Sequence, residues 1–174
     1  MSDIVVIGAG QAGSSLVAKL RNSGFEGRVT LIGEESAPPY QRPPLSKAYL
    51  LGDMALERLY LRPESYYAEA DIDLQLGAHV TEIDRASQLV HVGGEMLHYD
   101  QLVMTTGSTP RRLPASIGGA LDGVHVVRGL DDVNAMAPRF TKGAHVLIVG
   151  GGYIGLEAAA VASKKGLRVT LVEM

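Results

Sequence analysis

Cysteine is absent from the 174 residues. Within this sequence that removes disulfides, thiolate metal sites and cysteine nucleophiles, and it fits a reducing compartment. Tryptophan is missing too and aromatics are only 5 %, whereas glycine, with 21 residues, is plentiful and directs attention to turns. There is no surplus of positive charge: the net charge of −3 and pI near 5.9 give no electrostatic case for nucleic acid. No apolar run approaches the roughly 20 residues of a membrane helix. MSDIVVIG enters a strand almost at once, so no targeting peptide is expected ahead of the fold and a cytoplasmic location follows. Five histidines, at His79, His91, His98, His125 and His145, show no ligand-like clustering, and no metal site is expected. With 46 % apolar and 20 % charged residues, the chain has an ordinary globular balance and material for a core.

The pattern is α/β. Ile4–Ile7 is a short continuous apolar run, as expected of a parallel strand covered on both faces. Gln11–Asn22 reads as a helix, with Ala12, Leu16 and Leu20 on one face and Gly24 to end it. Arg28–Ile32 supplies the next strand and completes a βαβ unit. PPYQRPPLSK, residues 38–47, carries four prolines and suits neither a strand nor a helix interior. Residues 53–70 read as partly helical. DLQL, HVTEI, QLVHV and MLHY alternate in strand fashion, with a turn at Gly93–Gly94, and predict an inserted antiparallel meander. QLVMTTG returns to the parallel type, GVHVVRG predicts a short strand, and Leu130–Phe140 a helix. A second βαβ unit runs from His145 to Val172.

Each βαβ unit holds a glycine fingerprint between its strand and its helix. In the first, Gly8 permits the tight turn, Gly10 lets a pyrophosphate approach the backbone, and Gly13 allows close helix–strand packing. The helix N-terminus offers free N–H groups and the positive end of a dipole. Glu34 follows the second strand, roughly 20 residues past the third glycine, where a carboxylate accepts from a ribose diol. Gly150, Gly152 and Gly155 repeat the pattern in HVLIVGGGYIGLE, with Glu173 as the matching acid. An acid there repels a 2′-phosphate and favours NAD over NADP. The second copy reads either as a working site or as a duplicated fold whose site has lapsed. Two dinucleotide sites imply transfer between two dinucleotides, a resident flavin and an exchanging nicotinamide.

GAGQAG, RPPLSK, LVMTTGSTPR and VGGGYIGLE together resemble the FAD-dependent, NADH-linked ferredoxin reductases of the putidaredoxin reductase and rubredoxin reductase type. RPPLSK is the most specific of these stretches. The resemblance implies a glutathione-reductase-like FAD/NAD(P)-binding Rossmann fold with two βαβ units and a meander insertion. Residues 1–113 would begin the FAD domain and residues 114–174 the NAD domain. It implies FAD contacts at Ala12, near the pyrophosphate, and at Glu34, on the adenosine ribose. Arg42 and Lys47 would serve the flavin segment, Val80 the adenine through its backbone, and Thr106, Gly107, Arg111 and Arg128 the cofactor further on. Tyr153, Ile154 and Glu157 would fall where the nicotinamide meets the flavin. Electrons would pass from NADH through FAD to a [2Fe–2S] ferredoxin or rubredoxin serving a P450 or ring-hydroxylating dioxygenase. The disulfide-reducing relatives carry a redox cysteine on the early flavin segment; here that segment is PPYQRPPLSK and has none.

Lys47 and Glu157 are the candidate catalytic pair. An ammonium near flavin N5 stabilises the charge of reduced flavin, and a carboxylate opposite would hold that lysine in place. The same residues also read as a solvated loop lysine and a first-turn helix carboxylate placed by the dipole. In the implied family the chain is more than twice as long, so these residues read as its N-terminal portion. The alternative function is a non-catalytic FAD/NAD-binding interaction protein of the apoptosis-inducing-factor kind.

Overall fold

The structure is a computed structural model and describes residues 2–173. Its contacts divide it into two units, one holding the residues up to Tyr40 and Tyr60–Ser108, the other Gln41–Leu59 and the residues from Thr109 on.

In the first unit, β1 (Ile4–Ile7) leads through the glycine turn into α1 (Gln11–Asn22) and then β2 (Val29–Ile32). The chain leaves this unit after Tyr40, forms α2 (Ala48–Leu51) in the other, and returns through α3 (Ser65–Glu69). Then come β3 (Ile72–Gln75), a meander of β4 (Val80–Asp84), β5 (Leu89–Val92) and β6 (Glu95–His98), and finally β7 (Gln101–Met104). The main sheet has the order β3-β2-β1-β7 and every pair is parallel, with Ile4 opposite both Val29 and Gln101. All residues of β1 and β2 are buried. Strand alternation sends them to two different covers. Ile4, Val6, Val29 and Leu31 pack with Val17 of α1 and Tyr67 of α3. Val5, Ile7 and Ile32 pack with Val90, Val92 and Tyr99 on the meander side. A strand covered on both faces has no solvent-facing position, hence the unbroken IVVI of β1, while the one polar residue of β2, Thr30, donates to Asp73 of β3. Each such fully buried Val, Leu or Ile contributes about 1.5–3 kcal/mol relative to exposure.

Polar groups in this unit are paired. Arg21, near the end of α1, donates to the carbonyls of Phe25 (2.7 Å), Gly27 (2.8 Å) and Ala70 (3.0 Å) and so ties the helix exit to the start of β2 and to the residue after α3. Ser14, fully buried on α1, lies 2.9 Å from the Tyr67 hydroxyl and accepts from Arg62 at 3.0 Å. Burial pushes the Tyr67 phenol above its ordinary value.

One expectation fails in this unit. The DLQL stretch does not join the meander: Ile72–Gln75 pairs parallel with Val29–Ile32 at the edge of the main sheet. An edge strand exposes one face, so it alternates as an antiparallel strand does and periodicity does not tell them apart. The meander therefore has three strands, order β4-β5-β6, turning at Gly93 (φ 59°) and Gly94 (φ 85°).

In the second unit, Pro43–Ser46 forms a single 3₁₀ turn, which prolines at its first positions allow, and α2 follows. α4 spans Leu130–Met136, β8 His145–Val149, α5 Tyr153–Lys164 and β9 Arg168–Val172. β8 and β9 pair parallel, from His145 opposite Arg168 to Val149 opposite Val172. The expected strand GVHVVRG is not one: no residue from Val124 to Arg128 joins a ladder. Its valines suit a pleated sheet, and β propensity is realised only where a neighbour completes the hydrogen bonds. The expected helix Leu130–Phe140 stops at Met136 and continues as a 3₁₀ turn, Ala137–Arg139, because Pro138 has no N–H to give. Asp132 caps α4 by accepting from the N–H of Gly129 at 2.8 Å and of Arg128 at 3.1 Å.

Candidate dinucleotide and redox sites

The first glycine turn is built by packing. Gly8 adopts φ 110°, and a Cβ there would stand 2.2 Å from the Thr105 carbonyl oxygen. A Cβ on Gly13 would stand 2.2 Å from the carbonyl of Gly8, so α1 closes onto its own turn only with glycine at this position. Gly10 differs: nothing lies within 4 Å of where its Cβ would be. The protein's own packing does not require that glycine, and the open space over it fits the approach of a phosphate. Gly10 caps α1 without a side chain, and the first intrahelical bond runs from Ser14 N–H to Gly10 C=O, 3.0 Å. The N–H groups of Gln11, Ala12 and Gly13 thus have no partner within the helix. They suit the oxygens of a pyrophosphate.

The remaining expected residues of this unit take varied positions. Gly33 abuts Ala9 of the turn, its Cβ position 2.6 Å from that of Ala9, so Glu34 leaves β2 beside the fingerprint. Glu34 is exposed, with its Oε1 3.1 Å from His79 Nδ1. Val80 begins β4 and is half-buried; Thr106 and Gly107 follow β7 and are exposed. Thr105, which the sequence reading passed over, is the residue that braces the turn: its Oγ1 donates to Gly8 O (2.8 Å) and lies 3.1 Å from Ile7 O. The adjacent threonines of MTTG hold nothing that distinguishes one from the other without the fold.

The second turn repeats the local design. Gly150 has φ 108°, a Cβ on Gly155 would lie 2.0 Å from Gly150 O, and Gly152 has nothing within 4 Å. Leu156 N–H bonds Gly152 C=O at 3.0 Å, the counterpart of Ser14 to Gly10. Glu173, after β9, folds back and accepts a hydrogen bond from the N–H of Gly151. Tyr153 and Ile154 are exposed at the start of α5.

A second feature of this unit was dispersed in sequence. Arg42, Ser46, Lys47, Arg128, Ile154 and Glu157 come together around an open pocket of about 300 Å³. Lys47 Nζ is 3.0 Å from Glu157 Oε1, and Ser46 Oγ donates to Glu157 Oε2 at 2.5 Å. These contacts, the Ser46 hydrogen bond first and the lysine second, hold the Glu157 carboxyl below its usual range. Arg42 Nη1 donates to the Arg128 carbonyl at 2.7 Å. Arg111 and Tyr153, both exposed, do not line this pocket. Among the described residues there is no cluster of His, Cys, Asp and Glu that would hold a metal, and no helix long and apolar enough to cross a membrane.

Two glycine turns of one local design, each between a parallel strand and a helix, follow the pattern of nucleotide-binding βαβ units. The family model for pyridine nucleotide-disulphide oxidoreductases matches residues 2–174. The chain belongs to that family. Within it, the chain is 44 % identical over 171 residues to rhodocoxin reductase of Rhodococcus erythropolis, covering 98 % of this chain and 40 % of that protein. It is 43 % identical over 172 residues to a ferredoxin–NAD(P)+ reductase of a Sphingomonas species, covering 98 % and 41 %. The crystal structure of a covalent putidaredoxin reductase–putidaredoxin complex is similar with a TM-score of 0.93 and 41 % identity, covering 98 % of this chain and 42 % of that one. The chain therefore spans about 40 % of the length of these curated relatives. The fold is that of the family, an α/β nucleotide-binding architecture with a parallel sheet.

Proposed function

We propose that these residues serve an NADH-dependent flavoprotein reductase that passes electrons through FAD to a small iron–sulfur protein, a [2Fe–2S] ferredoxin or a rubredoxin, supplying a P450 or a ring-hydroxylating dioxygenase in the cytoplasm. The observation that carries the reading is the Lys47–Glu157 pair at 3.0 Å, in a pocket beside exposed Ile154. FAD held there would supply the redox chemistry, two-electron exchange with NADH and one-electron exchange with the iron–sulfur partner. Gly8, Gly10, Ala12 and Gly13 would hold its pyrophosphate and Glu34 its adenosine ribose, with Val80, Thr106, Gly107, Arg111 and Arg128 as further contacts. Gly150, Gly152, Gly155, Tyr153 and Ile154 would hold NAD, with Glu173 on the ribose diol. Lys47 keeps a positive charge where reduced flavin becomes negative, and Glu157 keeps that charge in place. Residues 1–113 would begin the FAD domain and 114–174 the NAD domain, a boundary that differs from the packing units because 41–59 packs with the second.

The test is anaerobic titration of the intact protein with NADH and NADPH in parallel. Rapid bleaching of the flavin absorbance by NADH, with NADPH much slower, is the expected result. Slow reduction by both, with a persistent charge-transfer band and poor turnover with ferredoxin, would overturn the enzyme reading. Lys47→Ala should lower the reduction rate at least tenfold while leaving NADH affinity within a few-fold, as for a group that acts on the transition state.

A further inference from the structure

We propose that Ser46 is a positioning residue: by donating its hydroxyl proton to Oε2 of Glu157, it fixes that carboxylate so that Oε1 holds the Lys47 ammonium. An ionised carboxylate is acceptor only, so the proton between Ser46 and Glu157 must come from serine. The contact therefore favours the ionised glutamate, the form that pairs with the Lys47 ammonium.

The three side chains differ in how firmly they are held. Ser46 is 4 % exposed and ends the 3₁₀ turn Pro43–Ser46. That turn is fixed by two proline φ angles and by bonds from Leu45 N–H to Arg42 O and from Lys47 N–H to Pro44 O, both 3.0 Å. The Lys47 side chain, by contrast, is 51 % exposed on a flexible four-carbon stem. A lysine alone would leave the carboxylate free to rotate; a rigid buried hydroxyl on its second oxygen does not. Neighbouring residues give no sign of this role, because Ser46 and Glu157 are 111 positions apart. The charged groups facing Glu157 across the pocket are Lys47, Arg42 and Arg128, and Arg42 is engaged with the Arg128 carbonyl.

The inference rests on the redox role given above to Lys47, but its first test does not. The Glu157 side-chain carboxyl ¹³C resonance, assigned through Glu157→Gln, is followed against pH in wild type, Ser46→Ala, Ser46→Cys and Ser46→Thr. Ser46→Ala should raise the midpoint, because it removes the first of the contacts that hold this carboxyl low. Ser46→Thr, which keeps the hydroxyl, should restore it, and Ser46→Cys, isosteric with a weak donor, should fall between. A midpoint unmoved in both Ser46→Ala and Ser46→Cys, or a threonine variant that tracks alanine, overturns the proposal. The second test is the pH profile of flavin reduction in the intact protein, where the acid limb should move up with the carboxyl midpoint in Ser46→Ala and return in Ser46→Thr. If the midpoint moves but neither Ser46→Ala nor Lys47→Ala alters flavin reduction, the clamp stands and the redox reading falls. If Lys47→Ala slows reduction while Ser46→Ala leaves midpoint and profile unchanged, the redox reading stands and the clamp falls.

Discussion

The two glycine turns share their chemistry and differ in their surroundings. Both start at a glycine near φ 110°, both close on a third glycine whose Cβ would stand about 2 Å from the first glycine's carbonyl oxygen, and both leave the middle glycine open. Yet β1 is buried along its whole length between two parallel neighbours, while β8 alternates, with Leu147 60 % and Val149 59 % exposed. The turn geometry is thus a local property of strand, glycines and helix, and burial is a property of what lies alongside. Gly8 shows this directly: the carbonyl of Thr105, just past β7, closes on it, whereas nothing closes on Gly150.

That contrast can be broken by substitution. Gly8→Ala combines a left-handed backbone with a Cβ only 2.2 Å from the Thr105 carbonyl oxygen and should cost about 3–5 kcal/mol. Gly150→Ala, with the same φ but free space, should cost only about 1–2 kcal/mol. Urea unfolding followed by circular dichroism ranks the two; equal costs would mean that backbone strain alone decides both turns. Next in size, Val6→Ala in fully buried β1 should lose about 2 kcal/mol, and Val146→Ala in half-buried β8 under 1 kcal/mol. Gly10→Ala and Gly152→Ala sharpen the likeness instead: stability should stay within about 0.5 kcal/mol, while dinucleotide affinity of the intact protein, read by equilibrium binding, falls at least tenfold. The smallest effect is acid sensitivity. Glu157 has a depressed folded pKa, so its contribution is fully present above the unfolded value of about 4.3 and is lost as pH falls through the folded one. Glu157→Gln should flatten that acid limb in a pH series of urea midpoints; an unchanged limb would place the sensitivity elsewhere.

Much of this fold was legible because its signals are local. IVVI, the paired glycines and the turn at Gly93–Gly94 depend on neighbours a few residues away, and the spacing to Glu34 and Glu173 stays within one βαβ unit. What was not legible depends on distant partners. The pairing of Ile72–Gln75 with β2 requires knowing which edge is free, and GVHVVRG has strand composition but no ladder to join. Pro138 is a readable stop inside the expected helix, and α4 ends at Met136, ahead of it. At the site, Lys47 and Glu157 were legible through the resemblance, whereas Ser46 and Thr105 matter through single hydroxyls whose targets lie 111 and 97 residues away.

The fold-back of Glu173 onto Gly151 changes what it means for a nucleotide to arrive. One amide of the second turn already has an anion of the protein's own, and the same carboxylate is the group a ribose diol would seek. With Glu173 on the ribose as proposed, arrival would be an exchange of partners: the amide would be released to the incoming ligand as the carboxylate turned to the sugar. The measured affinity would be the difference between two sets of hydrogen bonds, and the net heat of association small, even where each new contact is good.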